Sequence, residues 1–149
     1  MRLYLDTSVL SALFDERSPE RKQLTEDFFR TIAEHEVCIS DLTLQEIRLT
    51  PDESLRERME HRCSEFTVLS GKEEETEELA EAYVKQGAVP SKHVEDAVHL
   101  AIAVVYGVDA LLSWNFRHIV RRKTRNAVDL VSAQRNLRRV EIMTPAELL

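Results

Sequence analysis

Three acids in this chain sit where an acid is costly. Asp6 directly follows the apolar run Leu3-Tyr4-Leu5 and precedes Thr7-Ser8. Glu46 lies within Leu42-Thr43-Leu44-Gln45-Glu46-Ile47, and Asp96 within Val94-Glu95-Asp96-Ala97-Val98-His99. Carboxylates gathered beside a core lose hydration and repel one another unless a cation joins them. A divalent metal site is the leading reading of the trio, and phosphodiester hydrolysis its leading chemistry. Mg²⁺ and Mn²⁺ take hard oxygen donors and usually keep several waters. Held by Asp6, Glu46 and Asp96, one or two such ions would activate water, bridge a scissile phosphate and steady the leaving oxygen. No covalent nucleophile is needed.

Each acid also has a plainer role open to it. Asp6 could cap a following helix, Glu46 could be an exposed helical acid, and Asp96 could pair with Lys92 at i−4. Glu95 points about 100° around the helix from Asp96 and is the weaker candidate. His99 shares the side of Asp96, where it could bind a phosphate or a metal's water, or be a satisfied half-buried histidine. Ser113 could donate to a carboxylate. Asn115 could offer its carbonyl oxygen to a metal or place a water, which makes it the fourth candidate catalytic residue. Arg117, His118, Arg121 and Arg122 could contact phosphates or merely cover the surface. The chain has no GxxxxGK[ST], GxGxxG or GxSxG motif, so glycine-loop nucleotide binding and a nucleophile elbow have no support. A dehalogenase-like phosphatase would want a second aspartate at position 8, which is Ser8.

The elements that must carry these residues alternate. Short apolar runs at Leu3–Leu5, Val37–Ile39, Phe66–Leu69, Asp109–Ser113 and Val140–Ile142 read as strands. Between them, helical spacing marks helices near residues 9–14 and 20–34, one carrying Glu46, one through Leu55, Met59, Cys63 and Phe66, and others near 73–86, 92–106 and 124–137. Thr7 or Ser8, Ser40 or Asp41, and Ser91 are the expected N-caps. In the helix near 92–106, Val94, Ala97, Val98, Ala101, Ile102 and Val105 form the expected apolar stripe. This is the pattern of a three-layer α/β/α sandwich with a short, mostly parallel central sheet. Such sheets bind ligands at the carboxyl ends of their strands, where Asp6, Asp41 and Asn115 fall.

A chain of 149 residues suits a single domain, 1–149, able to bury a core without a disulfide. Cys38 and Cys63 form no CxxC pair, so a structural zinc site is not expected. No apolar run approaches a membrane span, and the early Asp6 breaks any signal-peptide core; the expectation is a cytoplasmic protein. The net charge of −7 is unevenly spread: residues 1–114 hold 24 acids against 12 Lys/Arg, and residues 115–139 hold 8 Lys/Arg against one acid. The total argues against a non-specific nucleic-acid binder, whereas the late basic stretch is either a local polyanion patch or a solvated helix face.

These segments together resemble the PIN-domain family, and within it the VapC-like toxins of prokaryotic toxin–antitoxin systems. The resemblance is carried by Tyr4-Leu5-Asp6-Thr7-Ser8, Ser40-Asp41-Leu42-Thr43-Leu44-Gln45-Glu46-Ile47, Glu95 through Ala103, and Asp109 through Ile119, in order and over nearly the whole chain. It implies a metal-dependent endoribonuclease using Mg²⁺ or Mn²⁺, with Asp6, Glu46 and Asp96 as metal-binding acids. Asn115 falls where many members have a fourth acid. It further implies an RNA substrate, a homodimer, and a cognate antitoxin that covers the acidic groove. The competing expectation is a catalytically weak PIN-like module that binds RNA or protein. Metal-dependent cleavage abolished by Asp6→Asn separates the two.

Overall fold

The computed structural model describes all of residues 1–149. Strand β1 (Arg2–Leu5) lies at the centre of a five-stranded sheet, between β2 (Glu36–Ser40) and β4 (Ala110–Leu112). The edges are β3 (Thr67–Leu69) beside β2 and β5 (Glu141–Met143) beside β4. Every neighbouring pair is parallel. The expected α/β/α sandwich is therefore found, with an entirely parallel sheet. Parallel neighbours need crossovers, and helices supply them on both faces.

Alternation along each strand divides two cores. Leu3 and Leu5 join Val37, Ile39, Ala110 and Leu112 on one face. That face packs on α1 (Thr7–Ala12), α2 (Pro19–Arg30), α3 (Asp41–Arg48) and α4 (Glu53–Cys63) through residues such as Val9, Phe28, Ile47 and Met59. Tyr4, Cys38, Leu69 and Leu111 point the other way. They meet α5 (Glu74–Lys85), α6 (Val94–Val105) and α7 (Arg122–Gln134) through Leu79, Tyr83, Leu100, Ala103 and Val131. Helix α6 is buried more completely than one stripe would require: His99, Leu100, Ala103 and Val104 are covered along with Ala97, Ala101 and Ile102. Val94, by contrast, is exposed. The reason is that α6 is wedged between the sheet and α5.

Several boundaries move for identifiable reasons. Asp6 itself, rather than Thr7 or Ser8, caps α1. Ser40 caps α3, as one of its two candidates. Ser91 caps nothing: Pro90 leads into a 3₁₀ turn at Ser91–His93, and α6 starts only at Val94. The helix expected over 20–34 ends at Arg30 and gives way to a 3₁₀ turn at Ile32–Glu34. Gly107, at φ +63°, lets the chain leave α6 and turn into β4. Gly71 is needed for close approach, since a Cβ there would lie 2.8 Å from Ile102 Cδ1. Its N–H and that of Leu42 both donate to Asp41 Oδ1, so Asp41 ties β3's exit to α3.

Candidate metal centre

The carboxyl end of β1 delivers Asp6 into the sheet's switch region, where successive crossovers leave in opposite directions. Its carboxylate is nearly inaccessible, at 4% exposure. Oδ1 accepts from Ser8 Oγ at 2.5 Å and from the Val9 N–H at 3.4 Å. Oδ2 accepts from Ser113 Oγ at 2.5 Å, so the donor role open to Ser113 is realised at the end of β4. Burial nevertheless raises the Asp6 pKa, because desolvation outweighs the nearby His99 charge and the donated hydrogen bonds. Asp6 is thus both a helix cap and an acid whose charged form burial disfavours.

Glu46, on the last turn of α3, reaches the same region. Its Oε1 accepts from Thr7 Oγ1 and from His99 Nε2, each at 2.6 Å. Burial acts to raise its pKa, but the hydrogen bond and charge of His99, with the Thr7 hydroxyl, carry it below the ordinary value. Glu46 is not an idle surface acid. His99 is fully buried rather than half-buried. Burial acts to lower its pKa, and Glu46, Asp6 and Asp96 overcome that and raise it. An imidazolium fits the hydrogen bonds: Nε2–H donates to Glu46, and Nδ1–H donates to Tyr4 Oη at 2.6 Å. Tyr4, kept protonated by burial, shares a hydrogen bond with Ser40 Oγ at 2.8 Å.

Asp96 stands on the first turn of α6. Its partner is His118, whose Nδ1 lies 3.1 Å from Oδ2, and not Lys92. Its pKa is raised chiefly by burial, against the charges of His99 and His118. Asn115 follows β4, and its Oδ1 accepts the His118 N–H at 3.0 Å, so its amide shapes the loop 113–121. Arg121 is likewise spent internally, on Thr124 Oγ1 and the Ala88 carbonyl. Arg125 holds the Ile142 carbonyl, and Arg138 and Arg139 pair with Asp109, Asp129 and Glu141. Much of the basic stretch is therefore structural. Arg117, Arg122 and Lys123 are exposed and make no such bond.

Of the three acids only Glu46 touches the His99 imidazole, while Asp6 and Asp96 act on it through charge alone. Glu46 Oε2 and Asp96 Oδ1 accept no hydrogen bond from the chain, although their partner oxygens do. By donor chemistry, an all-oxygen set that destabilises two of its own members by burial suits a hard divalent cation that keeps waters between itself and part of the set. The tightest set of possible ligands lies just outside it, at His93, Asp96 and His118, whose donor atoms all fall within 4.8 Å of one another. Asp6, Glu46 and Asp96 do not close to that distance as a set. From the sequence His118 is a candidate for phosphate contact only and His93 is not singled out, because His118 meets Asp96 through a loop that folds back over α6. The i, i+3 spacing of His93 and Asp96 was the available signal.

A family model of the PIN domain matches residues 3–122. The chain belongs to the PIN-domain family. The fold of this PIN domain is similar to VapBC2 from Rickettsia felis, bound to a DNA fragment from its promoter. That match has a TM-score of 0.60 and 9% identity, covering 95% of this chain and 97% of the other. It is also similar to Mycobacterium tuberculosis VapC20, a sarcin-ricin loop cleaving toxin, with a TM-score of 0.55 and 20% identity over 78% of this chain and 92% of the other. No curated protein sequence matches the chain significantly. No helix of this PIN domain is long and apolar enough to cross a membrane.

Proposed function

We propose that this PIN domain is a metal-dependent endoribonuclease, the toxin of a toxin–antitoxin pair. The observation that supports this reading is the buried Asp6 at the carboxyl end of β1, held by Ser113 from the end of β4, with Glu46 tied to the adjoining Thr7 and to His99. Asp6, Glu46 and Asp96 would hold Mg²⁺ or Mn²⁺, which when bound activates water for attack on phosphorus and stabilises the leaving oxygen. With water rather than the ribose 2′-hydroxyl as nucleophile and the 3′-oxygen as leaving group, the products are a 5′-phosphate and a 3′-hydroxyl.

The chain's own groups have distinct duties. Ser8 and Ser113 aim the Asp6 carboxylate, and Thr7 and His99 fix one oxygen of Glu46. The raised pKa of His99 and its hydrogen bond to Glu46 favour an imidazolium beside these acids. Asn115, through the His118 N–H, sets the loop beside Asp96. Next to it, Phe116 is half exposed, and the Arg21 guanidinium lies 5.3 Å from the Trp114 ring and 5.6 Å from the Phe116 ring. An aromatic face with a stacked arginine suits unpaired bases, and the exposed Arg117, Arg122 and Lys123 suit the phosphate backbone. Single-stranded or looped RNA is the substrate this favours.

A basic antitoxin segment would complement the acids, and a homodimer is the expected assembly. The test is cleavage of a mixed RNA pool with Mn²⁺ or Mg²⁺. Metal-dependent fragments with 5′-phosphates, lost with Asp6→Asn, support the reading. RNA binding without cleavage by the intact protein would replace it with the weak-binding module.

A further inference from the structure

We propose that His93, Asp96 and His118 form a second metal position, selective for a borderline transition ion such as Zn²⁺ or Co²⁺ over Mg²⁺, with Asp96 shared between it and the carboxylate centre. Three elements build it. His93 closes the 3₁₀ turn before α6, Asp96 lies one helical turn on, and His118 returns from the loop after β4. The two imidazole rings stand 4.2 Å apart at an interplanar angle of 33°. All three donor atoms lie within 4.8 Å of each other.

The geometry is close to what such an ion requires. Metal–nitrogen bonds of 2.0–2.1 Å in a tetrahedron put neighbouring donors about 3.3 Å apart. His118 Nδ1 and Asp96 Oδ2 are already 3.1 Å apart. His93 is the exposed member, so its ring is free to swing in without disturbing the core. Two imidazoles and one carboxylate with a solvent-facing side make a three-ligand site that water can complete.

The donor chemistry then sets the choice of ion. Imidazole nitrogen suits Zn²⁺, Co²⁺ and their neighbours, while Mg²⁺ seeks oxygen and gives up its waters reluctantly. Oδ2 of Asp96 faces His118, and Oδ1 accepts no hydrogen bond. The same carboxylate can therefore serve this position through one oxygen and the inner acids through the other. This position does not depend on the chain being a nuclease.

Addition of Co²⁺ to the full-length protein, followed by visible absorption and calorimetry in excess Mg²⁺, tests the assignment. The expected result is a saturable d–d band at one equivalent, with binding that Mg²⁺ does not displace. His93→Ala, at an exposed position, should weaken that binding by at least about tenfold, since even outer partners of a metal are worth 10- to 100-fold. Asp6→Asn should retain it. Absence of the band, displacement by Mg²⁺, or unchanged binding in a folded His93→Ala protein would each overturn the proposal. Loss of the band in Asp6→Asn with retention in His93→Ala would assign the ion to the inner acids instead.

Discussion

The two sides of Asp96 are built by different means. On the inner side, Asp6 and Glu46 are presented by a strand end and a helix, and their oxygens are aimed by Ser8, Ser113, Thr7 and His99. On the outer side, His93 and His118 come from a turn and a loop, and His93 faces solvent. Regular elements fix the inner groups and bury them, so the cost of holding charge there is high. Of the outer pair only His93 is exposed, whereas His118 is largely buried and held by Asn115 and Asp96. The contrast is between acids buried beside the sheet and a pair of histidines of which one faces solvent.

The largest effect should come from breaking the inner side. Asp6→Asn removes a charge that burial already disfavours, so metal-supported RNA cleavage should fall by at least about 100-fold. Thermal unfolding without divalent ions should show little loss of stability, since burial outweighs the hydrogen bonds and the His99 charge that favour the Asp6 carboxylate. A large fall in melting temperature would mean that Asp6 is only a cap.

His99→Ala should act in the opposite sense. It takes away the cation on which Glu46 relies and leaves a gap against Tyr4, so a loss of about 3 kcal/mol is expected in urea unfolding. A loss below about 1 kcal/mol would contradict the imidazolium reading.

The same pair predicts a pH signature in the metal-free protein. The His99 pKa is raised on folding, so above the unfolded imidazole value the native state holds the extra proton and stability falls as pH rises. Its contribution is complete below the unfolded value and gone above the folded one. The Glu46 pKa is lowered, so its contribution is present above the unfolded carboxyl value and is lost as pH falls through the folded one. Melting temperature against pH should lose its alkaline arm in His99→Ala. An unchanged profile would contradict the linkage.

The smallest effects belong to the outer rim. Arg122→Ala with Lys123→Ala should leave the melting temperature unchanged and reduce the salt slope of RNA binding by about 1 to 2. Arg121→Ala should instead cost about 1 kcal/mol of stability, through its bonds to Thr124 and Ala88. Equal effects on RNA binding from both changes would blur this division.

What the sequence makes legible follows the same divide. Asp6 and Glu46 are readable because an apolar strand or a helical stripe runs up to them, and period and burial are local properties. The α/β/α layering is readable for the same reason. The partners are not. His118 meets Asp96 across a loop closure with no period, and Lys92, the neighbour in sequence, is passed over. The basic stretch looks like one patch in sequence, yet folding spends Arg121, Arg125, Arg138 and Arg139 on carbonyls and acids. His99 reads as half-buried only because its charge partners, Glu46 above all, lie far away along the chain.

The most direct measurement is a side-by-side digestion of RNA by the intact protein and by Asp6→Asn, with EDTA, Mg²⁺ or Mn²⁺. Cleavage by the intact protein only with a divalent ion, leaving 5′-phosphates and absent in Asp6→Asn, is the result expected. Cleavage that persists in EDTA, or that Asp6→Asn performs equally well, would contradict a metal held by Asp6, Glu46 and Asp96.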